Sequence, residues 1–187
     1  MIRILLLSVF AVLTVSVGAN ADGWDPRVKA DGGGKSKERI AEATQTAATF
    51  LKDNPSLQIY FDEAYGYAVF PSVRKGGVGI GGARGSGILF KGDTATKRAF
   101  LTQYTVGLQF GVKSYSEIIF FRDRDAYDRF EYGELALSRN ATAVTIDSSG
   151  VLQTSFSEDV AVFVNGGAGM MFEASIGGQN FGTRELN

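Results

Sequence analysis

The sequence predicts an α+β protein in which N-terminal helices precede a curved antiparallel β-sheet, sandwich-like or barrel-like, with one short inserted helix. Three observations predict this class. Apolar residues recur at helical spacing over residues 36–53, a period-two alternation begins after Ala64, and a series of short strand candidates follows. The chain lacks the repeated strand–helix alternation of a parallel sheet, so we expect the strands to be antiparallel.

The first 21 residues have the features of a signal peptide. Arg3 precedes an apolar stretch over residues 4–17, and Ala19-Asn20-Ala21 has the small-x-small pattern of a cleavage site. We therefore expect cleavage near Ala21 and a periplasmic or secreted protein, with peripheral membrane association as a further option. Residues 22–35 are rich in Gly and charged residues, so we expect a flexible lead-in segment there. We expect residues 36–187 to form a single domain.

Local capping signals predict the helices that follow. The first is an amphipathic helix over residues 36–53, and Asn54 with Pro55 then supplies an N-cap and a first-turn proline for a second short helix. Asp123 is the predicted cap of the inserted helix. The acidic cluster around it is interpreted as i,i+4 ion pairs with Arg124 and Arg129 rather than as a metal site, because it lacks the spacing of a calcium loop.

The strand candidates are short and separated by turn-type residues. Tyr104, Val106, Leu108, Phe110 and Val112 alternate with small or polar residues, which gives this strand one apolar face. Turns are expected at Pro71, Lys75-Gly76, Arg84-Gly85, 148–150 and 165–167. The other candidate strands are 65–70, 77–83, 86–90, 115–121, 134–138, 141–146, 151–156, 160–164 and 169–176.

Composition excludes several kinds of catalytic site. The chain has no His and no Cys, which removes Ser-His-Asp and Cys-His nucleophile systems and thiolate or imidazole zinc sites. Gly77, Gly79 and Gly82 match the spacing of a dinucleotide-binding loop, but they run into an apolar strand candidate instead of a helix. We therefore expect no catalytic residues, no metal and no cofactor, and a protein that is not an enzyme.

Basic residues are concentrated in one segment. Residues 74–98 contain six Lys or Arg and a single acidic residue, Asp93, so this segment could attract an anionic partner, although charged runs are often only solvated faces. Nucleic acid is not the expected partner, because the net charge of the chain is only −1 and the signal peptide directs export.

Three stretches together resemble the signature blocks of bacterial SYLF-domain proteins. They are YGYAVFPSVRKGGVGIGGARGSG (65–87), YTVGLQFGVKSYSEIIFFRDRDAYDRF (104–130) and FVNGGAGMMFEASIGGQNF (163–181). The resemblance implies an α+β domain on a curved antiparallel sheet that binds anionic phospholipids through an N-terminal amphipathic helix and basic residues. One departure is Asn165, where the bacterial pattern usually has a lysine.

The expected function is therefore non-enzymatic binding of anionic phospholipid head groups at a membrane surface. The alternative is a structural or interaction protein of the bacterial envelope, with an unidentified protein partner, whose glycines serve sheet curvature. The candidate lipid- or anion-binding residues are Lys37, Arg39, Arg74, Lys75, Arg84 and Lys91.

Overall fold

The computed structural model describes residues 32–137, 143–145 and 159–186. The predicted signal peptide and most of the predicted lead-in lie outside these residues, as do the candidate strand 151–156 and the predicted turn at 148–150. The described chain is an α+β protein with a curled antiparallel sheet, as the sequence predicts. The elements are α1 Gly32–Asp53, a 3-10 turn Pro55–Leu57, α2 Gln58–Glu63, β1 Gly66–Lys91, β2 Thr94–Phe121, α3 Arg124–Glu131, β3 Ala136–Leu137, β4 Ala143–Thr145 and β5 Val160–Glu185.

The helices form where the local signals place them. The Asn54 side chain accepts a hydrogen bond from the backbone N–H of Ser56, and that of Asp123 accepts one from Ala126, which satisfies N–H groups that helix starts leave unpaired. The predicted ion pairs within α3, Arg124–Asp128 and Asp125–Arg129, are both present. The helix α1 begins at Gly32, four residues before its predicted start at Ser36, and no proline in residues 32–35 prevents the extra turn.

Three long strands replace most of the short strands that the sequence predicts. Among the described residues the sheet order is β1-β2-β5-β3, with β4 pairing parallel to β5. The predicted turns at Pro71, Lys75-Gly76 and Arg84-Gly85 are wrong because these residues lie within β1, and the turn predicted at 165–167 lies within β5. Pro71 is tolerated because β1 is an edge strand and its register shifts between Phe70 and Val73.

The ribbon formed by β1, β2 and β5 folds back on itself near its middle. A Cβ on Gly77 would collide with Gly81 Cα and lie 2.5 Å from the carbonyl oxygen of Ile80, and Gly79 between them has a φ of +73°. Glycine is needed at residue 77 because no Cβ fits there, and it is favoured at residue 79 because of the positive φ. We call β1 residues 77–81 and the opposite β2 residues 105–111 the bend. The bend divides the ribbon into a first layer (β1 residues 66–76) and a second layer (β1 residues 82–91), each with the β2 and β5 segments paired to it.

Burial of apolar side chains holds the two layers together and attaches the helices. The core between the layers contains Phe70 and Val73 from the first layer, Leu89 and Leu101 from the second, and Phe130 from α3. A second core lies on the opposite face of the strands, against the helices, and it too uses both layers. It contains Ala43, Ala47 and Phe50 of α1, Tyr60 of α2, Val69, Ile118, Phe120 and Phe163 of the first layer, and Ile88 and Phe90 of the second. The apolar stripe of α1 is therefore used in folding.

Candidate anion-binding site

A cavity lies at the open edge of β1, where the two layers approach each other. Its volume is about 520 Å³. Arg74 of the first layer and Arg84 of the second layer both line it, because the fold-back at the bend brings the two ends of the glycine-rich segment to the same place. The other lining residues are Pro71, Ser72, Gly85, Ser86, Phe100, Leu101, Thr102 and one carboxylate, Glu42 of α1.

The chemistry of the lining suits an anion. Arg74 and Arg84 are both exposed, and none of the ion pairs within the described part of the chain involves either guanidinium. Each guanidinium offers planar donors that match a phosphate or carboxylate bidentately. The hydroxyls of Ser72, Ser86 and Thr102 add neutral hydrogen-bond donors. The cavity can therefore hold a phosphate ester by charge and hydrogen bonds.

More positive charge is concentrated beside the cavity, around Phe100. Arg98 and Arg184 are direct cross-strand partners on β2 and β5, and each guanidinium carbon lies 5.1 Å from the centroid of the Phe100 ring. Burial, followed by the nearby charges of Arg39 and Arg184, lowers the pKa of Arg98. Like charges directly opposite one another on a sheet are destabilising, so an anion bound between the two guanidinium groups would offset their repulsion.

The six sequence-predicted residues occupy different places. Arg74 and Arg84 share the cavity, and Arg39 is close enough to Arg98 to influence its pKa. Lys75 is buried, with only 7% of its surface exposed, so it does not belong to an exposed basic surface. Lys91 lies near the β1–β2 hairpin, its ammonium 4.8 Å from the centroid of the Tyr65 ring, and Lys37 is exposed on α1.

Sequence reasoning did not identify three residues that lie at or beside the cavity, Arg98, Phe100 and Arg184. Arg98 was recognised only as part of a basic segment, and Phe100 and Arg184 were not singled out. Their grouping depends on the β2–β5 register, which pairs Arg98 with Arg184. The alternation that places Arg98 and Phe100 on one face of a strand is the only local signal for them.

Two further features are absent from the described residues. No cluster of three or more acidic side chains there could hold a metal ion. No helix in the same residues is both long enough and apolar enough to cross a bilayer.

Comparison with known proteins gives one informative likeness. No protein-family model matches the chain. It is 28% identical over 148 residues to Beta cell expansion factor A of Aeromonas veronii. The match covers 76% of this chain but 56% of that protein, so the chain spans about half the length of this curated relative.

Proposed function

We propose that this is an exported, non-enzymatic lipid-binding protein that associates with anionic phospholipid head groups. The observation that carries the proposal is the convergence of Arg74 and Arg84 on one cavity. In this proposal residues 36–187 form a SYLF-type domain, whose finer architecture is a sandwich-like or barrel-like sheet behind N-terminal helices. The signal peptide is removed near Ala21, and the mature protein acts in the periplasm or outside the cell, at a membrane surface.

The head group is held by charge and hydrogen bonds alone. Arg74 and Arg84 contact the phosphate, the hydroxyls of the cavity complete its hydrogen bonds, and the arginines around Phe100 raise the local positive potential. Each Lys or Arg near an anionic membrane contributes about 1 kcal/mol. Two to five arginines therefore give reversible attachment.

The contribution of α1 differs from the one that the family resemblance implies. Ala43, Ala47 and Phe50 are buried against the sheet, so the apolar stripe of the helix is not available to a membrane in this conformation. The polar face carries Lys37 and Arg39. We propose that α1 acts through this charged face. Arg39 would add a further positive charge beside Arg98 and Arg184.

Vesicle co-sedimentation tests the proposal. The double variant Arg74→Gln/Arg84→Gln is compared with the unchanged protein on vesicles of phosphatidylcholine alone and of phosphatidylcholine with phosphatidylglycerol. We expect much stronger binding to the anionic vesicles than to the neutral ones, weakened about 30-fold in the variant because two contacts of about 1 kcal/mol each are lost. The matched control is Arg122→Gln/Arg124→Gln, which removes the same charge from two exposed arginines that are ion-paired elsewhere.

A second function is favoured by a different observation. The glycines of the bend have a structural role, because Gly77 and Gly79 allow the fold-back of β1, and a structural or interaction protein of the envelope would need no more than this. Equal recovery on neutral and anionic vesicles, unchanged in the Arg74/Arg84 variant, would reject binding through the arginines. No recovery on either kind of vesicle would reject lipid binding and favour that alternative.

A further inference from the structure

The bend exposes large apolar side chains on the outside of the ribbon. Six of the exposed large hydrophobic residues in the described part of the chain lie there or directly beside it, with 65–74% of their surface accessible. We call these six the bend patch: Val78, Ile80, Tyr104, Val106, Phe110 and Val112. Monomeric proteins rarely leave a contiguous apolar surface of this kind uncovered unless it has a binding role.

The strand register makes the patch continuous. Val78 lies directly opposite Phe110, and Ile80 lies directly opposite Val106. Directly opposed residues of an antiparallel pair point to the same face of the sheet. The intervening Thr105 is 1% exposed, which identifies the other face as the interior. The bend patch is thus one outward surface shared by two strands.

The β1 and β2 segments that carry the patch are basic. Residues 71–86 and 102–116 contain four Lys or Arg, of which Lys75 is buried, and no Asp or Glu. On β5, Glu173 pairs with Gln109 of the bend. Along β1, Val78 and Ile80 lie between the two exposed arginines of the cavity, Arg74 and Arg84. An apolar centre with cations beside it matches a bilayer interface, where acyl chains lie just below a layer of anionic phosphates. A second copy of this chain fits less well, because a two-fold contact centred on the patch would bring the flanking arginines of the two copies close together.

The backbone of the bend also suits this environment. In lipid, unpaired N–H and C=O groups are costly. The central strand β2 pairs with β5 throughout the bend, whereas its pairing with β1 is interrupted at residues 107–109 and present on both sides of them, for example at Val106, whose partners are Ile80 and Ile176. The peptide groups of β2 that face β5 therefore enter an apolar layer already hydrogen-bonded.

The geometry points to the bend as a membrane-insertion element. The bend patch enters the acyl-chain boundary of an anionic bilayer while Arg74 and Arg84 hold head groups at the level of the phosphates. This inference rests on the proposed function. It adds that the protein contacts the acyl chains of the lipid as well as the head groups. It requires only rigid docking of a surface that is already exposed.

A depth measurement tests the insertion. In a Trp24→Phe background, Phe110→Trp places the sole indole on the bend patch, and Tyr132→Trp places it at an equally exposed control position beyond α3. The protein recovered from expressing bacteria, with its N-terminus determined by mass spectrometry, is mixed with phosphatidylcholine–phosphatidylglycerol vesicles brominated along the acyl chains. We expect strong quenching of the indole at position 110 and little at position 132.

A substitution series tests the energetic role. Ile80→Thr/Val106→Thr removes apolar surface from a cross-strand pair but keeps β-branched side chains, so the strands are preserved. We expect vesicle affinity to fall roughly tenfold for each apolar side chain replaced, with no change in the thermal unfolding midpoint. The matched control is Ile59→Thr, which lies on α2 and is 54% exposed.

The outcomes separate this inference from the proposed function. Binding to anionic vesicles with an unquenched indole at position 110 would overturn insertion and leave head-group binding intact. Absence of binding to any vesicle would overturn both. A third outcome is a dimer in solution, detected by sedimentation velocity and abolished by Ile80→Thr/Val106→Thr, together with an unquenched indole at position 110 on vesicles. This outcome would overturn insertion in favour of self-association.

Discussion

At the scale of single residues, Glu117 is the most unusual ionisable group that the structure describes. It is fully buried between the layers, and Gln179 Nε2 donates a hydrogen bond of 3.1 Å to its Oε2. Its Oε1 has no hydrogen-bond partner among the described residues. Burial raises the pKa of Glu117 from 4.5 to about 7, and the bond from Gln179 only partly opposes this rise.

This pKa predicts a pH dependence of stability with a definite sign. In the unfolded chain Glu117 loses its proton near pH 4.5, whereas in the folded protein it keeps the proton until about pH 7. The free energy of unfolding should therefore fall by about 3 kcal/mol as the pH rises from about 4.5 to about 7, and then level off. Urea unfolding across this range measures the fall. Glu117→Gln should abolish it, whereas Glu63→Gln, at an exposed glutamate, should leave it unchanged; an undiminished slope in Glu117→Gln would refute the assignment.

The residue scale also shows which site residues the sequence could reveal. Arg74 and Arg84 were identifiable as cations near glycines, but their shared cavity depends on the reversal at Gly77–Gly81. Lys75, one residue from Arg74, is buried, because neighbouring residues in a strand point to opposite faces. A count of charges in a segment cannot separate these two cases.

At the scale of elements, β1 depends on glycine where its two halves touch. A Cβ at Gly87 would collide with the carbonyl oxygen of Val69 and lie 2.8 Å from Cδ1 of Phe70. The obstacle is partly backbone, which cannot move away as a flexible side chain can. Gly87 is therefore a contact between the layers rather than a turn residue.

The close contact predicts a large effect of a small substitution. Gly87→Ala should destabilise the protein by about 3 kcal/mol, because overpacking against backbone forces the layers apart, and should lower the thermal midpoint by roughly 6–12 °C. Gly182→Ala is the matched control, since a Cβ at that position on β5 would meet no atom within 4 Å. Differential scanning calorimetry would compare the two; equal midpoints would show that the layers can separate at Gly87 without cost.

The elements differ in how far local sequence predicts them. The caps at Asn54 and Asp123 are local, so the helices could be placed from a few neighbouring residues. The lengths of the strands could not, because Pro71 and the glycines of 75–87 are turn-type residues that β1 accommodates through its edge position and the bend. The alternation over residues 104–112 identifies an apolar face but does not reveal whether anything covers it.

At the scale of the whole molecule, the arginine cavity and the bend patch should contribute to membrane affinity in ways that salt can separate. Attraction between exposed charges is screened as the Debye length falls from about 10 Å at 0.1 M to about 3 Å at 1 M salt. Burial of apolar surface does not depend on such screening.

Vesicle binding should therefore have two parts. Co-sedimentation over a series of NaCl concentrations should show a salt-sensitive part that Arg74→Gln/Arg84→Gln removes. A salt-resistant part should disappear in Ile80→Thr/Val106→Thr. Complete release of the unchanged protein at about 1 M salt would mean that charge alone holds it to the membrane.

The fold-back of the ribbon has a consequence for how the chain acquires its structure. Each long strand contributes to both layers, so neither layer can form from a contiguous piece of sequence. Gly66 pairs with Phe121 at one end, and Lys97 pairs with Glu185 at the other. These contacts join distant parts of the chain, and folds dominated by such contacts fold slowly, over milliseconds to seconds. The interval before the layers close is when the apolar strands are most open to wrong pairing with other chains.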